Sequence, residues 1–300
     1  MTPSVSVVIP TLVRPTLLRA VMSVLGQTFR VEEIIVIAPP DVPVPLPVDD
    51  RILVLRAEIG LGPARRRQRG IEAAHGNVIA LLDDDDEWYP TKLQRQLAAV
   101  GAGAGDHWIT SSCMAVMGPG TRRRTWPRRL IEPGESIADY LFRFTGFTSG
   151  GAVLQTSTLC FPVELVRTVP WCADDDAPHE EPDWLIRVQR AIPRVQVIQL
   201  ADVLSTYDVS GLSVSRSSID RTDEYIAWGL NRLSMESPRV RGDYLCTSPV
   251  SAAVFARSLS GVWRSLWSSL RHGKPGPFAL TYAVLSAVRI VLHRPRAPIR

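Results

Sequence analysis

Five consecutive acids, Asp83 to Glu87, follow the apolar run Val78-Ile79-Ala80-Leu81-Leu82 and precede Trp88-Tyr89-Pro90. Side chains two apart along an extended segment share a face, so Asp83 and Asp85 can point at one cation. Carboxylate oxygens suit a hard divalent ion, Mg²⁺ or Mn²⁺. The competing reading is a solvated acidic turn ahead of the helix that Pro90 opens, where negative charge is favourable. A second acidic group, Asp174-Asp175-Asp176 and then Glu180-Glu181-Pro182-Asp183, leads into Trp184-Leu185-Ile186-Arg187-Val188. On its own, helix-dipole complementarity is sufficient to explain that one.

The surrounding elements decide what the first group faces. Val5 to Ile9 is a β-branched run ending at Pro10-Thr11, and Arg14-Pro15 starts a helical pattern carrying Leu17, Leu18, Val21, Met22 and Leu25. Glu33 to Ile37 and Ile52 to Leu55 read as further strands, and Pro63 opens a helix with Arg65, Arg66, Arg67 and Arg69. Val78 to Leu82 reads as a strand buried on both faces. Strands alternating with helices predict an α/β fold, a doubly wound, mostly parallel sheet flanked by helices. Right-handed connections would then open every strand's carboxyl end on one edge, where ligands bind. Pro10-Thr11, the Ala38 to Asp41 loop and the acid cluster are expected in one crevice.

Further along, Asp41 to Asp50 reads as an extended loop, with Pro43, Pro45 and Pro47 at alternate positions. Thr91 to Val100 is predicted helical, His107 to Met117 a strand, Arg122 to Arg129 a solvated basic loop and Glu135 to Phe144 a helix. Gly150-Gly151 precedes a predicted strand from Ala152, Val195 to Leu200 is another, and Ser205 to Ser218 is a polar loop long enough to cover a site.

With 300 residues, 45% of them hydrophobic, the chain can bury a sizeable core. Its 24 prolines are scattered, and no repeat or low-complexity segment stands out. The four cysteines, at 113, 160, 172 and 246, form no C-x-x-C pair, which argues for free thiols and against a zinc site. Val5 to Ile9 is too short for a signal peptide and Pro10 interrupts it. The longest apolar stretch, Phe278 to Leu292, is broken by Arg289 and falls short of a membrane span. The basic stretches lack a recognisable nucleic-acid-binding module.

Four motifs in order resemble the family 2 glycosyltransferases, which are inverting enzymes of the GT-A fold. They are Val7-Val8-Ile9-Pro10-Thr11 with Arg14-Pro15; Ser23-Val24-Leu25-Gly26-Gln27-Thr28; Arg67-Gln68-Arg69-Gly70-Ile71-Glu72-Ala73-Ala74-His75-Gly76; and Leu82-Asp83-Asp84-Asp85-Asp86-Glu87-Trp88 with Lys92-Leu93. The resemblance covers roughly residues 4 to 215. It implies a Rossmann-like GT-A catalytic domain over residues 1–218 and a helical, basic extension over 219–300.

The resemblance also assigns roles. Asp83 to Asp85 becomes the D-x-D element, with Asp85 and Asp83 on a divalent ion, and Asp83 and Asp84 near the donor. Pro10, Thr11, Arg14, Asp41 and Arg67 join them as donor-binding residues, Arg67 standing at the family's A-R-N arginine. Glu181 inherits the role of the base that deprotonates the acceptor hydroxyl, with Glu180 and Asp183 as substitutes. Gln68 stands where the family pattern has Asn, Glu181 where the second acid of its E-D pair is Asp, and two further positions depart from it. Ile37-Ala38-Pro39-Pro40-Asp41 leaves only Asp41 near the nucleobase, and Tyr207-Asp208-Val209-Ser210 lacks the usual Arg and His. No Q-x-x-R-W motif is present, so single-sugar transfer from a nucleotide-sugar to a glycan or lipid-linked acceptor is expected, as in surface polysaccharide biosynthesis. The alternatives are a sugar nucleotidyltransferase, disfavoured because Pro10 to Arg14 is not a glycine-rich phosphate loop, and a catalytically silent glycan-binding or scaffold subunit.

The tail has its own signal. Phe255, Leu259, Val262, Trp263, Leu266, Trp267 and Leu270 recur at helical spacing, with Arg257, Arg264 and Arg271 seven apart on the other side. Beyond Asp243 there are eight Lys or Arg and no acid. One reading is a helix packed on the rest of the protein; the other is contact with an anionic membrane surface. The expected location is cytoplasmic, at the inner face of the cell membrane if the second holds.

Overall fold

The structure, a computed structural model, describes residues 2–101, 105, 107–118, 123–147, 151–173, 178–209 and 219–292. In chain order the elements are β1 Val5–Pro10, α1 Leu17–Leu25, β2 Glu33–Ala38, β3 Ile52–Arg56, α2 Pro63–Glu72, β4 Val78–Leu81, β5 Glu87–Trp88, α3 Lys92–Val100, β6 Trp108–Met117 and β7 Arg124–Trp126. They continue with α4 Ile137–Phe142, β8 Cys160–Pro162, α5 Val163–Thr168, α6 Glu180–Ala191, β9 Gln196–Asp208, α7 Thr222–Arg232, α8 Pro238–Leu245, α9 Ser248–Phe255, α10 Leu259–His272 and α11 Pro277–Leu292. The chain divides into two compact units, one of residues 1–137 with 150–211, the other of 138–149 with 212–300.

The first unit carries the sheet, in the order β3-β2-β1-β4-β8-β6-β9-β5, with β7 paired to β6. β1, β2 and β4 are buried along their whole length, as their unbroken apolar runs require. The expectation of a mostly parallel, Rossmann-like GT-A sheet is overturned. Only β3-β2-β1-β4 is a continuous parallel block. From β4 onward, β4–β8, β8–β6, β6–β7 and β9–β5 are antiparallel, and β6–β9 alone is parallel. The sheet is mixed because β8 enters directly beside β4 in the opposite sense, without a further βαβ crossover. A doubly buried apolar strand reads the same in either direction, so the sequence pattern is blind to this reversal.

Local boundaries depart from expectation in several places. The loop expected over Arg122 to Arg129 carries the short strand β7, paired with β6. The strand expected from Ala152 is a coil followed by a 3₁₀ turn at Thr156–Thr158 and then β8. β9 runs on to Asp208, so the loop expected from Ser205 begins later; its residues 210–218, like Asp174 to Asp176, Arg122 and Gly150, lie outside the described residues. The β6–β9 ladder also slips: Ser112 pairs with Leu200 but Ala115 with Thr206, so three steps on β6 match six on β9. The excess is a compound bulge around residues 201–204.

Two features of this unit bear on the site. α2 lies so close to the sheet that a Cβ on Gly70 would stand 2.5 Å from side-chain carbons of Val8 and Ile37. Only glycine lets the helix settle there, one turn after Arg67. In α3, Lys92 is fully buried, its Nζ donating to Gln96 Oε1 at 2.6 Å and lying 4.0 Å from the centre of the Trp88 ring. Burial lowers its pKa to about 7.

That lysine gives the protein a pH dependence with a definite sign. Its folded pKa lies below the unfolded value near 10.4, so between about pH 7 and 10 the unfolded chain binds the extra proton and stability rises with pH. Urea unfolding at pH 7.5 and 9.5 should show a higher midpoint at the higher pH. Lys92→Met should flatten that difference; an unchanged slope in the variant would exclude Lys92 as its source.

The second unit is helical. α9, α10 and α11 pack around Val250, Ala253, Val262, Ala283 and Ile290. The single helical run expected over Val254 to Leu270 is broken at residues 256–258, where Arg257 adopts φ 53°. Within this unit, Asp243 is fully buried and is held by Arg239 Nε at 3.0 Å and by the backbone N–H groups of Phe144 and Gly276.

Candidate active site

The site is assembled at the ends of β1 and β4. Chain direction there turns sharply, the backbone N–H of Asp86 donating to the carbonyl of Asp83 at 3.2 Å. The turn alters what strand alternation alone predicts. Asp83, Asp85 and Asp86 each bring a carboxylate oxygen to within 4.8 Å of the others. Asp84 points elsewhere: it accepts from Thr11 Oγ1 at 2.5 Å and from Arg14 Nη1 at 3.2 Å. Thr11 N in turn donates to the carbonyl of Ile37, joining the ends of β1 and β2.

Cations and dipoles are arranged around the three acids. Arg14 Nη1 reaches Asp85 Oδ2 at 2.6 Å. Asp86, nearly inaccessible, accepts from Ser157 Oγ at 2.6 Å, Gln155 Nε2 at 3.1 Å and the backbone N–H of Asp208 at 3.1 Å. Gln155 also reaches Asp83 Oδ2 at 3.2 Å, so one amide ties two of the acids together. Burial, and then the charge of Asp83, push the carboxyl of Asp86 well above its ordinary value and raise that of Asp85. Three carboxylate oxygens gathered this closely are a donor set that fits a hard divalent cation.

Arg67 connects this cluster to the acids of α6. It is buried, and its two terminal nitrogens lie 2.5 Å from Asp83 Oδ1 and 2.5 Å from Glu180 Oε2. Burial works against its charge, but Glu180 and Asp83 outweigh it and hold the guanidinium above its ordinary value. Glu180 also accepts from the indole N–H of Trp171. Glu181 accepts from Thr156 Oγ1 at 2.6 Å. Burial and the neighbouring Glu180 raise its pKa, against the opposing pull of Arg67 and Thr156. His179, which opens α6 in the left-handed conformation at φ 63°, is held near pKa 4 by burial and is therefore neutral at pH 7.

The structure thus brings together Pro10 at the end of β1, Thr11, Arg14, Arg67, Asp83, Asp84, Asp85, Glu180 and Glu181. Asp183 is engaged differently: it is buried and paired with Arg187 Nε at 2.7 Å, one turn along α6, while Arg187 also holds the carbonyls of Pro170 and Trp171. Asp41 is exposed in the turn after β2.

Several residues of the site were not singled out from the sequence. Asp86 joins through the turn, and Gln155, Thr156 and Ser157 through the 3₁₀ turn before β8. The available signal was a run of four polar residues, Gln155 to Thr158, between Leu154 and Leu159; all four are buried. Tyr207 faces the acids from β9. Burial, and then Asp86, Glu181, Asp83 and Asp85, push its hydroxyl up to about pKa 12, and its ring centre lies 6.5 Å from that of Trp126. A neutral phenol beside an indole, facing carboxylates, is a surface suited to a polyhydroxylated ring.

The family model described as Glycosyl transferase family 2 matches residues 6–155. The amylovoran biosynthesis glycosyltransferase AmsB of Erwinia amylovora is 28% identical over 193 residues, 63% of this chain and 60% of AmsB. The putative teichuronic acid biosynthesis glycosyltransferase TuaG of Bacillus subtilis (strain 168) is 42% identical over 50 residues, 17% of this chain and 20% of TuaG. The chain spans less than two thirds of the length of the curated relatives it matches. Among solved structures, S. aureus TarS aligns at TM-score 0.58 and 13% identity over 96% of this chain and 54% of TarS. TarS 1-349 in complex with UDP-GlcNAc aligns at TM-score 0.56 and 14% identity over 98% and 93%. At such identities the likeness is one of fold.

Proposed function

The chain belongs to glycosyl transferase family 2, and from that premise we propose that it transfers a single sugar from a nucleotide-sugar to a hydroxyl of a glycan acceptor, with inversion, in the assembly of a surface polysaccharide. The observation that carries this reading is the Arg67 bridge, which joins an acid cluster suited to a cation-bound diphosphate to a second acid pair lying 97 residues further along the chain (83 to 180). The curated relatives act in amylovoran and teichuronic acid biosynthesis by name, which supports the polysaccharide context.

In this mechanism Asp83, Asp85 and Asp86 would hold Mn²⁺ or Mg²⁺. When bound, the ion offsets charge developing on the leaving diphosphate. Arg14 and Arg67 share that electrostatic task and keep the acids in place. Glu181, as carboxylate, takes the proton of the acceptor hydroxyl while its oxygen attacks the anomeric carbon. The bond from that carbon to the diphosphate oxygen breaks, and the nucleoside diphosphate leaves with the electron pair. One displacement inverts the configuration. Tyr207 and Trp126 offer the ring surface on which a sugar is oriented.

The test is release of nucleoside diphosphate by the full chain from a panel of nucleotide-sugars, with glycan acceptors and Mn²⁺. Release should stop on chelation and return with the metal. Gln155→Ala, which frees Asp83 and Asp86 from their shared amide, should raise the metal concentration for half-activity by about 10–100-fold. Turnover that survives chelation removes the metal from the reading, and no release with any donor and acceptor favours a silent glycan-binding subunit.

A further inference from the structure

Two helices of the second unit, α10 and α11, turn mainly small residues inward and leave large apolar ones exposed. α10 turns inward Gly261, Val262, Ser265, Ser268 and Ser269. Its large side chains face out: Trp263 is 70% exposed, Trp267 56% and Leu270 63%. α11 repeats the pattern, burying Ala279, Ala283, Ser286 and Ile290 while Leu285 (56%), Leu292 (74%), Val284, Val288 and Val291 are exposed. At the start of α11, exposed Phe278 packs edge-on against exposed Phe147, ring centres 5.4 Å apart. Small residues at helix–helix contacts with large apolar residues outside is the arrangement of helices whose outer medium is lipid. Soluble monomers rarely leave so much apolar surface uncovered.

Over the described residues neither helix is long enough to span a bilayer. At 1.5 Å per residue, α11 with its 16 residues is about 24 Å long, against roughly 30 Å of hydrocarbon, and no helix among the described residues is long and apolar enough to cross. The charges favour an acidic lipid surface. The sequence beyond Asp243 has eight Lys or Arg and no acid. Arg271 lies over the exposed Trp267 ring, 5.1 Å from its centre, placing a cation beside an interfacial indole. Arg264, by contrast, is paired with Asp223 at 2.8 Å and so does not extend the basic stripe expected from the sequence.

We propose that α10 and α11 lie flat on an anionic bilayer, with Trp263, Trp267 and Leu270 of one and Leu285 and Val288 of the other entering the headgroup boundary. The inference rests on burial and charge in the helical unit and not on the sugar-transfer reading; its test uses neither donor nor acceptor. The full chain is sedimented with vesicles of phosphatidylcholine alone or mixed with phosphatidylglycerol, beside the variant Trp263→Glu, Trp267→Glu, Leu285→Glu, Val288→Glu. All four positions are exposed, so the variant should keep the wild-type circular dichroism and melting transition.

Wild-type protein is expected to sediment with the acidic vesicles and stay in solution with the neutral ones, and the variant to lose at least about tenfold in partitioning. Wild-type protein left in the supernatant with both vesicle types overturns the proposal, as does equal binding by a folded variant. A concentration-dependent oligomer in buffer that the variant converts to monomer would assign the face to a second copy of the chain instead.

Discussion

Arg67→Met is expected to lower stability by about 3–5 kcal/mol, the cost of stranding buried charges when one partner of an ion pair is removed. Among the described residues Arg67 is the ion-pair partner of both Asp83 and Glu180, and the flexible methionine can fill its volume but not its charge. The loss is one of electrostatics, because the two carboxylates left behind are only partly exposed to water. Arg67→Lys keeps the charge but cannot fork between two carboxylates, so it should fall between wild type and Met. Urea unfolding of the full chain without added metal measures both. A methionine variant within about 1 kcal/mol of wild type would show that the bridge contributes little to holding the two acid groups together.

Glu181→Gln should leave the protein folded, with Thr156 still hydrogen-bonded to the side chain, yet lower kcat by about 10²–10⁴-fold, the usual contribution of a positioned base. The pH profile separates this from a positioning role. A base must be ionised, and burial with Glu180 nearby raises the pKa of Glu181 above 4.5. Activity in the wild type should therefore fall with decreasing pH at a higher point than for a solvated carboxylate, and the variant's residual activity should lack that acidic limb. Glu181→Asp, a shorter carboxylate, should recover part of the rate. Wild-type kcat in the Gln variant would transfer the base role to another group.

The parts of the site that were legible in the sequence are those whose signal is local. Asp83 and Asp85 follow from period-two alternation, and Thr11, Arg14 and Arg67 from motifs at fixed places beside strands and helices. Asp86 was missed because alternation ends where the chain turns back on itself, and a turn can return residue i+3 to the side that i faces. Gln155, Ser157 and Tyr207 were hidden by distance: more than sixty residues separate them from Asp86 (155 − 86 = 69), and nothing in a polar or aromatic residue announces its partner. Sheet direction was illegible for a related reason, since burial sets the composition of β8 and burial is the same whichever way the strand runs. In α10 the periodicity alone leaves open whether the apolar stripe packs inward or faces a membrane surface. The packing selected the glycine and serines, which allow helices to approach closely.

The bulge on β9 has a consequence best put as parity. Three extra residues is an odd number, and the faces of a strand alternate with every residue, so the segment from Ser205 onward shows the site the set of side chains that an uninterrupted ladder would have turned away. Tyr207 meets the acids by virtue of segment length as much as of its own identity. A change of one residue in the length of 201–204 would exchange Tyr207 for a neighbour without altering any residue type, a step in specificity that no point substitution can make.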